Sequence, residues 1–142
     1  MSIVQIIQQY EDIFKIDEQK AEELAGLTYG YAFAFQALGV AYWNHGKEGM
    51  KAVLAEYDGL LDDFVYKKIW SLLTGRERDI VRAIGGAETK TGDILKNLSM
   101  TASTFSKYRD LLIDKGIIIS EKYGHVSLAL PRFYEITKRY KG

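Results

Sequence analysis

Eight residues in the last third of the chain have types and spacings that could do chemistry. Ser103, Thr104, Ser106, Lys107 and Arg109 fall in the segment Thr101 to Lys115, which reads as a short helix. Lys122, Tyr123 and His125 fall in the turn of a hairpin that follows. Hydroxyls and cations on an outward helix face can contact phosphate oxygens and base edges. At 100° per residue, Phe105, Tyr108, Leu111 and Leu112 face inward. Ser103, Ser106, Lys107, Asp110 and Asp114 face outward, with Arg109 on the flank. Asp110 and Asp114 repel phosphate, but they lie toward the C-terminal end, and Asp110 can pair with Lys107 or Arg109. A solvated helix face and a polar hairpin turn account for the same residues, so both readings stay open.

Other chemistries find little support. The chain has 142 residues and no cysteine, which excludes disulfides, thiolate zinc sites and a Cys nucleophile. His45 and His125 are far apart in sequence, against a histidine metal site. Asp62-Asp63 and Glu22-Glu23 are adjacent, so on a helix each pair diverges by about 100° and reads as solvated surface. No Ser, His and carboxylate constellation points to a nucleophile. The expectation is a non-enzyme with no catalytic, cofactor-binding or metal residues. The start, MSIVQIIQQYEDIF, lacks the features of a secretory signal. No apolar run approaches the ~20 residues of a membrane span. A cytoplasmic, membrane-free protein is expected.

Net charge is zero, with 19 Lys+Arg against 19 Asp+Glu. The charges are not evenly spread. Residues 1–73 carry 6 Lys+Arg and 11 Asp+Glu, a net of −5, and residues 74–142 carry 13 and 8, a net of +5. An acidic and a basic half imply two modules with different partners.

The elements that must position the eight residues are legible from Thr74 onward. Thr74 and Glu77 have capping-box spacing, and Ile80, Val81 and Ile84 continue a helical face to Gly85-Gly86. Thr91 is a candidate cap for a helix carrying Ile94, Leu95 and Leu98. Ser99-Met100 connects it to Thr101, the candidate cap of the third helix, which Gly116 ends. Ile117 to Ser120 is a β-branched run, and Glu121 to Gly124 a turn. Val126, Leu128 and Leu130 alternate with His125, Ser127 and Ala129, the pattern of a half-buried strand. Pro131 closes it, and Phe133, Ile136, Thr137 and Tyr140 restart a helical stripe. Helix, helix, short turn, helix, hairpin, helix is the winged helix-turn-helix order. Arg76, Arg78, Arg82, Lys90 and Lys96 add positive charge around its first two helices, although capping and surface roles explain them equally.

Residues 1–73 read as helical throughout. Ile3, Ile6, Ile7 and Tyr10 form one stripe. Asp17 caps a short helix with Ala21, Leu24 and Ala25 on its apolar face, ending at Gly26. Tyr31 to Trp43 is apolar on most sides and is expected to be central and buried. Met50, Val53, Leu54 and Tyr57 form a further stripe, and Leu60, Leu61, Phe64, Val65, Ile69 and Leu72 another. Asp58-Gly59 marks a break or kink between them. The aromatic residues Tyr29, Tyr31, Phe33, Phe35, Tyr42 and Trp43 read as core packing, or in part as a partner-facing patch. The expected fold is mainly α with one small β-hairpin: a helical subdomain, 1–73, then a winged helix, 74–142.

LTYGYAFAFQALGVAYW (27–43), FVYKKIWSLLTGRERDIVRAI (64–84), MTASTFSKYRDLLIDKGII (100–118) and YGHVSLALPRFYEI (123–136) resemble the C-terminal helical lid and winged helix of bacterial and archaeal AAA-type ATPases, the ATP-binding protein family. The likeness runs from about Ile13 onward. In that family the Gly-aromatic-x-aromatic segment opens the lid helix nearest the nucleotide. The nucleotide-binding core is missing. There is no GxxxxGK[ST] phosphate loop, no apolar strand ending in an acidic pair, and no arginine near Gly30. Position 99 is Ser where the family often has Gly.

The resemblance, the fold and the charge together imply a DNA-binding winged helix that holds duplex DNA mainly through phosphate contacts. Ser103, Thr104, Ser106, Lys107 and Arg109 would lie at the groove, with Lys122, Tyr123 and His125 at the wing. The acidic half would face an ATPase domain in cis or another protein subunit, in an oligomeric state the sequence leaves open. The alternative is a winged helix that binds protein within an ATPase assembly and no DNA. A third reading is a fragment of a nucleotide-responsive enzyme whose catalytic half lies elsewhere.

Overall fold

The computed structural model describes residues 1–141, and the fold is mainly helical with a small three-stranded antiparallel sheet. The chain divides into two compact units, Met1–Lys67 and Lys68 onward. The division precedes Thr74 because Trp70 belongs to the second unit, where its ring lies 6.3 Å from Phe133 and 5.6 Å from Tyr140.

The first unit is built from α1 (Ile3–Phe14), α2 (Glu18–Gly26), α3 (Ala32–His45) and α4 (Met50–Leu61). Ser2 caps α1 in a capping box with Gln5, and Asp17 caps α2 by accepting from the Lys20 amide at 2.8 Å. On α3, Ala34, Ala37, Leu38 and Ala41 turn inward, and on α4 so do Val53, Tyr57 and Leu61. Alanines on the α3 side let the helices approach closely. The buried tyrosines keep their hydroxyls satisfied. Tyr10 donates to the Phe35 carbonyl (2.7 Å) and Tyr57 to the Leu27 carbonyl (2.8 Å). Leaving such a hydroxyl unpaired would cost about 1–3 kcal/mol.

Three sequence expectations for residues 1–73 change. The helix α4 runs unbroken through Asp58-Gly59, and Asp58 is buried. The irregularity comes later, as a π-helical turn over Asp62–Tyr66 leading into α5 (Lys67–Leu72). A π turn holds one extra residue. It moves the buried face from an α-helical register after Leu61 to Tyr66, Trp70 and Leu73. Phe64 and Leu72, expected on the inner stripe, are each 70% exposed for this reason. Finally, α3 is not buried on most sides. Its inward arc is made of small residues and Leu38, while Val40 and Trp43 face solvent.

The second unit contains α6 (Gly75–Ile84), β1 (Thr89–Lys90), α7 (Thr91–Leu98), α8 (Ala102–Asp114), β2 (Ile118–Ile119), β3 (His125–Leu128) and α9 (Phe133–Thr137). The Thr74/Glu77 capping box starts α6, and Gly85 ends it at φ 69°, a conformation glycine adopts without a Cβ penalty. Thr101 caps α8 through the Thr104 amide, at 3.2 Å. The core comprises Ile80, Val81, Ile84, Ile94, Met100, Phe105, Leu112, Ile117, Ile118, Val126, Leu130, Phe133 and Ile136.

Here too the structure departs from expectation. The hairpin β2–β3 gains a third strand, because β1 pairs with the other edge of β3, in the order β1-β3-β2. Thr89 pairs with Val126 and Lys90 with His125. Thr91 is not a cap. It is the first residue of α7, Lys90 holds the cap position, and the Thr91 amide donates to the Gly124 carbonyl at 2.8 Å. Leu111 is exposed rather than inward. It lies about 120° around α8 from Phe105, outside the face that Phe105 and Leu112 define.

Candidate nucleic-acid interface

The outward stripe of α8 is Ser103, Lys107, Asp110 and Asp114, all exposed. Their phase follows from the burial of Phe105 and Leu112 on the opposite side. The N-terminal half of the stripe is neutral to positive. The first turn of α8 holds no acidic residue, so the partial positive charge of its amide ends is uncompensated and favours an anion there. Thr101 closes this turn, its hydroxyl donating to Thr104 Oγ1 at 2.9 Å. Thr104 is exposed, while Ser106 is half-buried. Arg109 turns to the flank and pairs with Asp110 at 3.2 Å, so its charge is partly neutralised.

The second group sits in the β2–β3 turn. Lys122 is exposed, and Tyr123 is fully exposed. Gly124 at φ 75° reverses the chain. Behind it, His125 Nδ1 lies 3.1 Å from the Tyr123 carbonyl, the geometry of a ring N–H donating to it. The Ser120 hydroxyl donates to the His125 carbonyl at 2.8 Å. The turn is further held by the bond from the Thr91 amide to Gly124. The structure thus gathers Ser103, Thr104 and Lys107 on one helix end and Lys122 and Tyr123 in one turn, with His125 at its base as the first residue of β3. Arg109 and Ser106 lie off the outward line.

The fold gives Lys90, read from the sequence only as charge around the first two helices, a place beside the hairpin turn. Lys90, the register partner of His125, is exposed beside the base of the turn. A two-residue strand has no periodicity to read, so only its pairing with β3 marks the place. Lys90, Lys96, Lys107 and Lys122 are exposed and form no ion pair among the described residues.

Three arginines of this unit are engaged structurally. Arg78 donates from Nε and Nη2 to the Trp70 carbonyl (3.1 and 2.8 Å) and lies over the Trp70 ring. Arg82 sits over the same ring at 5.0 Å. Arg76 faces Asp79 at 3.9 Å. Cation–π contacts of this kind are worth about 0.5–2 kcal/mol.

Among the described residues, no group of three or more His, Asp or Glu could hold a metal ion, and no helix is long and apolar enough to cross a membrane. No curated protein and no solved structure matches the chain. A family model described as "Domain of unknown function (DUF8462)" matches residues 63–135, from the π-helical turn to α9. That match covers just over half of the chain, which therefore belongs to the DUF8462 family.

Proposed function

We propose that the second unit is a winged helix-turn-helix that binds duplex DNA, mainly through phosphate contacts. The observation that carries this reading is the exposure of unpaired Lys107 and Lys122 on the two elements such a fold brings to DNA. These are the N-terminal half of its third helix and the turn of its hairpin. Lys90 adds a cation beside that turn. The opposing features limit sequence readout. Asp110 and Asp114 share the outward stripe, and several arginines are occupied elsewhere. Phosphate-led binding of modest specificity fits that balance. On this reading the chain is a cytoplasmic, non-enzymatic lid and winged helix of an AAA-type ATPase. A phosphate-loop motif encoded upstream of Met1 would tie it to such a parent.

The deciding measurement is a salt titration of duplex binding by the full chain. Log K should fall against log salt with a slope of about −0.9 for each phosphate contact. Lys107→Glu with Lys122→Glu should abolish most binding at low salt. No binding at low salt, or binding indifferent to that double substitution, rejects the proposal.

A second reading has its own observation. Leu111 and Ile113 are partly exposed beside Asp110 and Asp114 on the C-terminal half of α8. Apolar and acidic groups together suit a protein partner better than a phosphate backbone. Should DNA binding fail, this half of α8 is the surface for the winged helix as a protein-interaction module.

A further inference from the structure

We infer that the outward face of α3 is a self-association surface, covered in solution by α3 of a second copy of this chain running antiparallel. The inference is independent of the DNA reading.

The face begins as a contradiction in the sequence. A helix as apolar as Ala32–His45 is ordinarily buried on all sides. Here only the arc of Ala34, Ala37, Leu38 and Ala41 is buried. Opposite it, Phe33 is half-buried, Val40 is 49% exposed and Trp43 is 74% exposed. With Gln36 they stand at positions 33, 36, 40 and 43, alternating steps of three and four. That spacing presents a straight seam to a second helix. The seam is widened at both ends. Phe64, turned outward by the π-helical turn, lies 6.2 Å from Phe33. Phe14 lies 6.4 Å from Trp43, and its neighbour Ile13 is exposed.

Several features favour a second copy as occupant. From Ala32 to Asn44 there is no Asp, Glu, Lys or Arg. A charged partner finds no countercharge on this face, whereas an identical face meets it without repulsion at the contact. The seam is also nearly symmetric about Leu38. An antiparallel two-fold there sets Phe33 against Trp43 of the second copy, and Gln36 against Val40. The two Gln36 side chains would lie about one helical turn apart along the axis, within reach of mutual amide pairing. Such an isologous contact closes on itself. The exposed parts of Trp43, Phe64, Phe33, Val40 and Ile13 offer on the order of 500 Å² per copy. Twice that is close to the ~1,000 Å² at which specific interfaces begin, so the dimer should be weak and concentration-dependent.

Charge elsewhere supplies a signature. Residues 1–67 carry 5 Lys+Arg against 11 Asp+Glu, a net of −6 for the first unit. Two such units repel at long range, and salt screens that repulsion. Raising salt should therefore tighten the dimer, the reverse of its effect on DNA binding.

Sedimentation equilibrium of the full chain, without DNA, tests this from low micromolar to near-millimolar protein at low and high salt. Mass should rise from monomer to dimer with concentration, and at lower concentration when salt is high. Trp43 should shift its emission to the blue over the same range, since the other tryptophan, Trp70, is already buried. Val40→Glu puts two carboxylates into the apolar seam, about one helical turn apart along the axis, and should weaken association about a hundredfold or more. The dilute monomer's melting point should stay near wild type. Gln36→Glu, at an exposed helical position, should weaken it in the same direction without affecting folding. A chain monomeric at every concentration and salt overturns the inference, and so does a dimer that survives both substitutions.

Discussion

Lys115 donates from Nζ to Oε2 of Glu77 at 2.8 Å, tying the end of α8 to the first turn of α6 across 38 positions of sequence. The other carboxylate oxygen, Oε1, accepts from the Thr74 amide at 2.9 Å. Glu77 is 2% exposed, so both oxygens are used where water is scarce. Burial alone works to raise its pKa. The bonds from Lys115 and the Thr74 amide outweigh that, and the carboxyl is held below its ordinary value. Glu77→Gln keeps the cap but turns an amide toward the ammonium. It should cost about 1–3 kcal/mol in urea unfolding at neutral pH. A folded pKa below the unfolded one stabilises fully above the unfolded value. The contribution fades as pH falls through the folded value. Wild type should therefore lose stability on acidification below about pH 4.3, and Glu77→Gln should lose less over the same interval. Equal acid slopes in the two proteins would contradict this account.

Ser99 occupies the left-handed region, φ 50° and ψ 46°, at the C-terminus of α7. Its Cβ is strained there, and glycine is not. Ser99→Gly should stabilise the chain by up to about 1 kcal/mol, the strain relief offset by the added freedom of the unfolded chain. Differential scanning calorimetry should find a higher melting point. A lower one would mean that the serine side chain contributes more than its backbone costs.

His45 stands between two carboxylates. Nδ1 contacts Glu48 and Nε2 lies 2.8 Å from Glu56, so the imidazole links the end of α3 to α4. The hydrogen bond that the ring donates to Glu48 raises its pKa most; desolvation, next in size, opposes it, and the charges of Glu48 and Glu56 add to the rise. A raised folded pKa stabilises below the unfolded value of about 6.5, and this is lost as pH rises through the folded value. The melting point should decline on going from mildly acidic to mildly alkaline buffer. His45→Gln should flatten that decline. NMR titration of the His45 ring should place its midpoint above that of a free imidazole, and a midpoint at or below the free value would refute the clamp.

Asp110 shares the outward stripe of α8 with Lys107 and neutralises Arg109. Asp110→Asn should therefore tighten duplex binding and steepen the salt slope by about one contact as Arg109 is released. Lys90→Glu should weaken binding and make the slope shallower by about one. Anisotropy titrations at several salt concentrations would measure both. If neither slope moves, α8 and the β1 edge lie away from the phosphate backbone.

What sequence determined here is local. The Thr74/Glu77 capping box, the caps at Asp17 and Thr101, the stop at Gly85 and the alternation around Val126 all rest on neighbours within a few positions. So does the outward phase of Ser103 and Lys107, which the apolar residues of their own helix set. Tertiary structure decided whatever depends on a distant partner or a shifted phase. Thr89–Lys90 is a strand only because β3 offers an edge, and that pairing brings Lys90 beside His125. Lys115 completes the shell of Glu77 only after α8 folds back on α6. One extra residue in the π-helical turn shifts the helical phase after Leu61, burying Tyr66 and turning Phe64 out beside Phe33. Periodicity tells which residues share a face, because 3.6 residues per turn is a property of the backbone alone. Which face meets the core, and which is left for a partner, is settled by the packing of segments that sequence order keeps apart.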